Sequence, residues 1–343
     1  MSKETSFRTI IVLPDDTKKP IIDAIDGAKK SIKIKMFVFS DPDLINAVIS
    51  AKKRGIEIQV MLNPARRSGE EENSETRKLL ESAGITVKDS NPKFGLTHEK
   101  SMVIDDETAF IKSLNWATKN LTVTRDYAIT TNHKHEVDEV VAGFTADWDR
   151  VDFDPGEHAH MIWCIGNGRD RIARFIDEAK HTLFVQNERY QDSVIIERLV
   201  RAAMRGVKVH IMARPPHALK KDKLVEGVGG LRIMDDVGIK IHTLRHLKLH
   251  GKMLIADGCR AIVGSINLAP GSFDDRRELA IEVHDEDVVE RLQQIAHEDW
   301  GNSHPLDLTD EGLFADLSNK GDGGDENLAL NLKKKDKHDE DED

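Results

Sequence analysis

The stretch His98-Glu99-Lys100-Ser101-Met102-Val103-Ile104-Asp105 returns as His250-Gly251-Lys252-Met253-Leu254-Ile255-Ala256-Asp257. The correspondence runs on beyond it. Ser113, Asn115 and Asp126 are matched 152 residues later by Ser265, Asn267 and Glu278, and Asp147-Trp148 by Asp299-Trp300. Residue type and register repeat together, which denotes an internal duplication with a period far too long for a solenoid. In each copy a histidine and a lysine two apart on a strand point to one face. Val103-Ile104 and Leu254-Ile255 continue that strand into an apolar layer.

The segments around the motifs repeat in the same order. Ile21, Ile22, Ile25 and Ala28 lie at helical spacing, and Ile32 to Phe39 reads as a strand. Leu44, Ile45, Val48 and Ala51 form a second helical face closed by Gly55, and Ile56, Ile58 and Val60 alternate as a strand does. Ala179-Lys180, Gly206-Val207 and Pro215 stand 151 residues after Ala28-Lys29, Gly55-Ile56 and Pro64. Helix and strand in alternation predict an α/β fold. The expected architecture is two homologous α/β sandwich domains with mixed sheets, 1–152 and 160–318, related by a pseudo-twofold axis. The boundary falls in Val151–His160 and the active site at the interface between the domains. The predicted core includes Val103, Ile104, Ile111, Leu254, Ile255 and Ile262.

Composition sets bounds. The 343 residues suffice for two domains. From 319 to 343 the chain is mostly Gly, Asp, Asn, Lys and Glu; Lys320 to Asp343 holds 5 Lys against 9 acidic residues. Such a segment cannot bury enough apolar surface to order itself, so it reads as a disordered charged tail, either a solvated one or an acidic interaction segment. The net charge of −11 and an aromatic content of 5% disfavour a grip on nucleic acid by charge or stacking. Cys164 and Cys259 cannot build a disulfide framework or a thiolate metal cage. Met1 to Asp16 lacks a secretory pattern, and no apolar run approaches the roughly 18 residues of a spanning helix. A cytoplasmic chain that meets membranes only peripherally is the expectation.

The duplicated residues suit phosphoryl chemistry. Lysine is a point charge for phosphoryl oxygens. Asn115 and Asn267 offer amide donors, and Ser113 and Ser265 hydroxyls, to the same oxygens. Histidine can be nucleophile, acid or base near neutral pH. Asp126 and Glu278 are carboxylates able to fix a histidine tautomer, as in a catalytic triad. If the halves pack about a twofold, His98, His250, Lys100 and Lys252 converge on one anion.

The pattern resembles the phospholipase D superfamily, whose motif is His-x-Lys-x4-Asp-x6-Gly-Ser-x-Asn, usually present twice. His250 to Asn267 matches it in full, with Gly264-Ser265; His98 to Asn115 matches except for Lys112 in place of the glycine. Asn267 to Glu278 is also similar to the bacterial cardiolipin synthase pattern, departing from it at Gly271 and Arg276. The resemblance implies a phosphodiesterase or phosphatidyl transferase acting on phospholipid, without metal or other cofactor. His98 would form a phosphohistidine intermediate. His250 would protonate the leaving alcohol and then activate water or an alcohol acceptor. Lys100, Lys252, Asn115 and Asn267, with Ser113 and Ser265, would hold the phosphate; Asp126 and Glu278 would orient the histidines. Asp105 and Asp257 read as structural residues. The alternatives are a nuclease or other nucleic-acid phosphodiesterase, and a non-catalytic phosphate-binding interaction protein. One chain holds both copies, so a monomer suffices.

Other residues read more plainly. Lys112 either points outward or adds a cation near the phosphate. Trp116 lines the pocket or packs in the core. His133, His135, His242 and His246 read as surface or rim positions, and His217 to Lys223 as a loop that could meet an anionic substrate.

Overall fold

The computed structural model describes residues 7–65, 69, 71–155, 160–218 and 224–319. The charged segment from 320 onward and Lys220, Lys221 and Lys223 lie outside the described residues.

The first half begins with β1 (Arg8–Leu13), α1 (Lys19–Gly27), β2 (Ser31–Met36), α2 (Pro42–Lys53), β3 (Glu57–Leu62), α3 (Ser74–Ser82) and β4 (Thr86–Asp89). The motif follows on β5 (Leu96–Thr97), β6 (Ser101–Ile104) and β7 (Thr108–Lys112), and then come α4 (Thr118–Thr122), β8 (Thr124–Thr131) and α5 (Lys134–Asp149). The second half opens with β9 (Met161–Cys164), α6 (Gly168–Asp177), β10 (Thr182–Gln186), α7 (Ser193–Met204), β11 (Lys208–Met212), α8 (Leu224–Asp236) and β12 (Lys240–Leu244). Its motif lies on β13 (Lys248–Leu249), β14 (Lys252–Ala256) and β15 (Arg260–Gly264). The chain continues through α9 (Pro270–Asp274), β16 (Arg276–Val283), α10 (Glu286–Gly301), β17 (Ser303–Pro305) and α11 (Asp310–Asn319). Helix α11 takes in Asn319, one residue past the boundary drawn from composition.

The duplication is visible in local chemistry. Asp41 caps α2 by accepting from the N–H groups of Asp43 and Leu44, and Asp192 caps α7 by accepting from that of Ile195. Both helices are followed by a glycine of positive φ, Gly55 at 91° and Gly206 at 89°, a conformation other side chains rarely adopt.

Each half forms a mixed α/β sheet. The first has the order β1-β8-β7-β6-β2-β3-β4, with β2, β3 and β4 parallel and the β1, β8, β7, β6 and β2 pairings antiparallel. The second runs β17-β12-β11-β10-β14-β15-β16, with β10, β11 and β12 parallel and β9 antiparallel to β16. The halves also exchange strands. β13 pairs parallel with β8, Leu249 opposite Arg125, and β5 pairs parallel with β16, Thr97 opposite Arg277.

Alternation along the strands divides the core into layers. Met102 and Phe110 face the first half's outer core with Ile21, Ile25, Leu44 and Val48. Leu254 and Ile262 face the second outer core with Ile172, Phe175, Ile195 and Leu199. Between the sheets, Val103, Ile111 and Ile129 share a core with Met253, Ile255 and Val263, with Val137 and Val140 of α5 and Val288 and Leu292 of α10. All six predicted core residues are buried. Trp116 takes the core alternative, its ring edge-on to Phe39 at 4.8 Å. Both cysteines are free thiols. Among the described residues no helix is long and apolar enough to cross a membrane.

Candidate active site

The exchanged strands deliver the two histidines. His98 directly follows β5, and its N–H donates to the carbonyl of Arg277 at 2.9 Å. His250 directly follows β13, and the next N–H, that of Gly251, donates to the carbonyl of Arg125 at 2.7 Å. Each histidine is thus held against a strand of the opposite half, and the next residue on that strand is a carboxylate. His98 Nδ1 lies 3.0 Å from Glu278 Oε2, and His250 Nδ1 lies 2.7 Å from Asp126 Oδ1. Both carboxylates are fully buried. An Nδ1–H that donates to a carboxylate leaves the ring lone pair on Nε2.

The carboxylates are braced in turn. Asp126 accepts from Ser113 Oγ at 2.6 Å and from Thr124 Oγ1 at 2.5 Å. Glu278 accepts from Ser272 Oγ at 2.8 Å. Burial raises the pKa of the Glu278 carboxyl, but His98, Lys100 and Arg276 outweigh it and hold the group below the ordinary glutamate range. The hydroxyls of Ser113 and Ser265, expected to face phosphate, look inward instead. Ser113 Oγ accepts from the N–H of Tyr127 as it donates to Asp126, while Ser265 Oγ donates to the carbonyl of Leu279 and accepts from its N–H. The antiparallel neighbours β8 and β16 bring these backbone groups beside the serines.

Each lysine side chain folds back toward its own histidine. Lys100 Nζ donates to the carbonyl of His98 at 2.7 Å, and Lys252 Nζ to that of His250 at 2.6 Å. Their surroundings differ. Lys100 Nζ lies 5.2 Å from the centre of the Phe37 ring, which meets His98 edge-on, whereas Lys252 Nζ donates to Glu188 at 2.8 Å. Asn115 and Asn267 are buried, and neither amide atom of Asn267 has a hydrogen-bond partner among the described residues. A buried amide left this way suits a ligand that supplies the partner.

Asp105 and Asp257 stand away from the histidines. Asp105 accepts from the N–H groups of Lys29, Lys30 and Ser31, and Asp257 from those of Lys180, His181 and Thr182. Each ties the start of a central parallel strand to the motif turn. Against partial burial, which raises them, these donors pull both carboxyls below the ordinary aspartate range.

Lys112 does not point outward. It is fully buried, with Nζ 4.2 Å from the centre of the Trp116 ring and no hydrogen-bond partner among the described residues. Burial pushes its pKa well down; Glu99 opposes this and Lys100 adds to it. In the second half Gly264 holds the same place, where a Cβ would lie 2.4 Å from the Cα of Ala280.

His133 and His242 are half-buried, while His135 and His246 are exposed. His242 stacks on Trp300 at 3.8 Å. The interface also contains groups outside the motif. Glu99 is buried with Lys35, Asp147 and Arg277, and Arg125 bonds Asp299 across the halves. The two arginines had a signal in the sequence: they precede Asp126 and Glu278 and keep the 152-residue offset.

Known proteins resemble this chain in sequence and in fold. The sequence profile described as "Cardiolipin synthase, PLD-like domain" matches residues 21–148 and again 172–300. Cardiolipin synthase B of Salmonella typhimurium is 24% identical over 317 residues, covering 80% of this chain and 75% of that protein. Polyphosphate kinase of Vibrio cholerae is 27% identical over 293 residues, covering 79% of this chain and 40% of that protein. Among solved structures, the phosphatidylserine synthase of Haemophilus influenzae superposes with a TM-score of 0.71 at 13% identity, covering 95% of this chain and 92% of that one.

Proposed function

The chain belongs to the family of cardiolipin synthase, PLD-like domains, and from that premise we propose that it is a phosphodiesterase or phosphatidyl transferase acting on phospholipid through a phosphohistidine intermediate. The observation that carries the reading is the reciprocal pairing of His98 with Glu278 and His250 with Asp126, each with a lysine folded beside it. The similarity to cardiolipin synthase B favours phospholipid over nucleic acid as substrate.

In this mechanism His98 Nε2 attacks phosphorus. The bond from phosphorus to the leaving alcohol breaks, and His250, protonated on Nε2, gives that oxygen its proton. Water or an alcohol then attacks the phosphohistidine, the P–N bond breaks, and the incoming proton passes to His250. Splitting one displacement into two lowers each barrier. Lys100, Lys252, Asn115 and Asn267 hold the non-bridging oxygens more tightly as charge develops on them. Glu278 orients His98, and Asp126 orients His250 and stabilises its imidazolium. Asp105 and Asp257 fix the turns that carry the strands, and Ser113 and Ser272 brace the carboxylates. The chemistry needs no metal, and a single chain completes the site. A lipid substrate requires contact with a membrane surface, without insertion.

The test is incubation with phosphatidylglycerol or phosphatidylcholine vesicles and ethanol in chelator, in parallel with single- and double-stranded DNA. Phosphatidylethanol formation is the expected result. DNA cleavage without lipid turnover would overturn the lipid reading in favour of a nuclease. Loss of all turnover in chelator would overturn the mechanism.

A further inference from the structure

The two half-sites part company one residue pair away from their lysines. Phe37, just past the end of β2, and Glu188, just past the end of β10, are 151 residues apart and occupy corresponding places. Both lie at the carboxyl ends of parallel strands, where open α/β sheets bind their ligands. Phe37 is 1% exposed and gives the first half-site an apolar wall, its ring centre 5.0 Å from that of His98. Glu188 is 7% exposed; its Oε2 accepts from Lys252 Nζ at 2.8 Å and its Oε1 from Arg214 Nη1 at 3.1 Å. Arg214 itself follows β11, the next parallel strand, so two strand ends fix the carboxylate.

A carboxylate beside a lysine that holds phosphate works against phosphate binding, because like charges repel. It suits a different ligand. An ionised carboxylate only accepts hydrogen bonds, with about four lone-pair directions, and hydroxyl groups are its natural donors. We infer that Glu188, oriented by Arg214, is a specificity-determining residue that accepts hydrogen bonds from the hydroxyls of a polyol acceptor. The second half-site thereby selects a polyhydric alcohol over a simple alcohol and over water. The inference rests on the phosphatidyl-transfer reading. One hydroxyl of the polyol attacks the phosphohistidine phosphorus as the P–N bond breaks and its proton passes to His250, while a neighbouring hydroxyl donates to Glu188. On this reading the first half-site carries the phosphatidyl group and the second reads what receives it.

The experiment uses the full chain, phosphatidylcholine vesicles, and glycerol and 1-propanol in competition. The products phosphatidylglycerol, phosphatidylpropanol and phosphatidic acid all form from one intermediate. Their ratios therefore report the second step alone, and a general loss of activity cancels. Wild type is expected to favour glycerol over 1-propanol. A hydrogen bond to a charged group contributes enough that its loss shifts a ratio about tenfold or more. Glu188→Gln, close to isosteric, is expected to lower the glycerol-to-propanol ratio about tenfold while the propanol-to-water ratio stays within about twofold. Arg214→Gln is expected to move the first ratio the same way by less. An unchanged glycerol-to-propanol ratio in Glu188→Gln, with both alcohol products falling together or not at all, would overturn the inference and leave Glu188 a counter-ion of Lys252. Hydrolysis without any alcohol product in wild type would overturn it too, leaving lipid hydrolysis standing. Absence of lipid turnover in wild type is a separate failure, that of the proposed function itself.

Discussion

In the first half Asp147 accepts from Lys35 at 2.6 Å and from Arg277 at 2.9 Å, and Lys35 also donates to Glu99 at 2.9 Å. At the corresponding place in the second half Asp299 accepts from Arg125 at 2.9 Å and from Gln186 at 2.9 Å. Glu99 is there replaced by Gly251, where a Cβ would lie 2.6 Å from the ring of Tyr127, whose hydroxyl donates to Gln186 at 2.5 Å. One network holds four buried charges, while the other replaces two of them with an amide and a phenol. The carboxyls respond in opposite directions. Burial raises both, but Lys35 and Arg277 together bring Asp147 below the ordinary aspartate range, whereas Arg125 and Gln186 leave Asp299 above it. The histidine–carboxylate geometry is reciprocal between the halves, and the charge that supports it is not. The histidine–carboxylate pairs are what the fold repeats; the scaffold around them tolerates different solutions.

The largest expected effect sets the two histidines apart. His98→Gln should lose activity by about 10⁴-fold or more and yield no acid-labile phosphate, as a missing nucleophile does. His250→Gln should still accumulate phosphohistidine when its substrate carries a good leaving group. Acid-labile phosphate on His250 and none on His98 would reverse the assignment. Next come the orienting carboxylates: Glu278→Gln and Asp126→Asn should each lower kcat by about 10²- to 10⁴-fold. Burst kinetics should locate the Glu278→Gln defect in intermediate formation and the Asp126→Asn defect also in breakdown. Equal defects in both steps for both variants would erase the distinction between the half-sites.

Stability sharpens the comparison further. Asp147→Asn leaves two buried cations short of charge and should cost about 3–5 kcal/mol in urea unfolding. Asp299→Asn should cost roughly 1–2 kcal/mol, since an amide can still pair there. The pH signs are opposite. Asp147, with its folded pKa below the reference 3.8, contributes stability in full above that pH and loses it as the pH falls through the folded value. Asp299, shifted upward, costs stability above 3.8, and the cost is relieved as the pH falls toward it. An effect of opposite sign is expected at the residue that breaks the repeat within the motif. Lys112→Met should stabilise the protein at pH 7 by about 1–3 kcal/mol, by removing a buried unpartnered amine. With a folded pKa below 10.5, the amine costs stability wherever the unfolded chain binds a proton that the folded site does not, so the gain should shrink as the pH rises toward 10.5. A Lys112→Met variant less stable than wild type at pH 7 would mean that the amine is compensated in place.

Much of the fold was legible because it is written twice. The offsets of 151 and 152 located both halves, their central strands and the histidines, lysines and asparagines, and the capping residues Asp41 and Asp192 fell in step with them. The pairing was not legible. His98 is nearer in sequence to Asp126 than to Glu278, and nothing in the spacing says that β5 and β13 cross to the other sheet. The serines misled because a hydroxyl suits phosphate and backbone equally; only the register of β8 and β16 decides. Glu188 lies outside the motif, and its contrast with Phe37 gains meaning only once both stand beside the lysines.

The exchange of β5 and β13 also bears on how the chain is made. The last strand of the first sheet, Lys248–Leu249, is translated well after its partner β8. At roughly 5–20 residues per second, the nascent first half waits on the order of 10 s for it. During that time Asp126 has no histidine, and only α5 covers the inner face of the first sheet. A chain interrupted before Lys248 therefore lacks both His250 and Lys252, and the two half-sites can pair only after the second motif has been made.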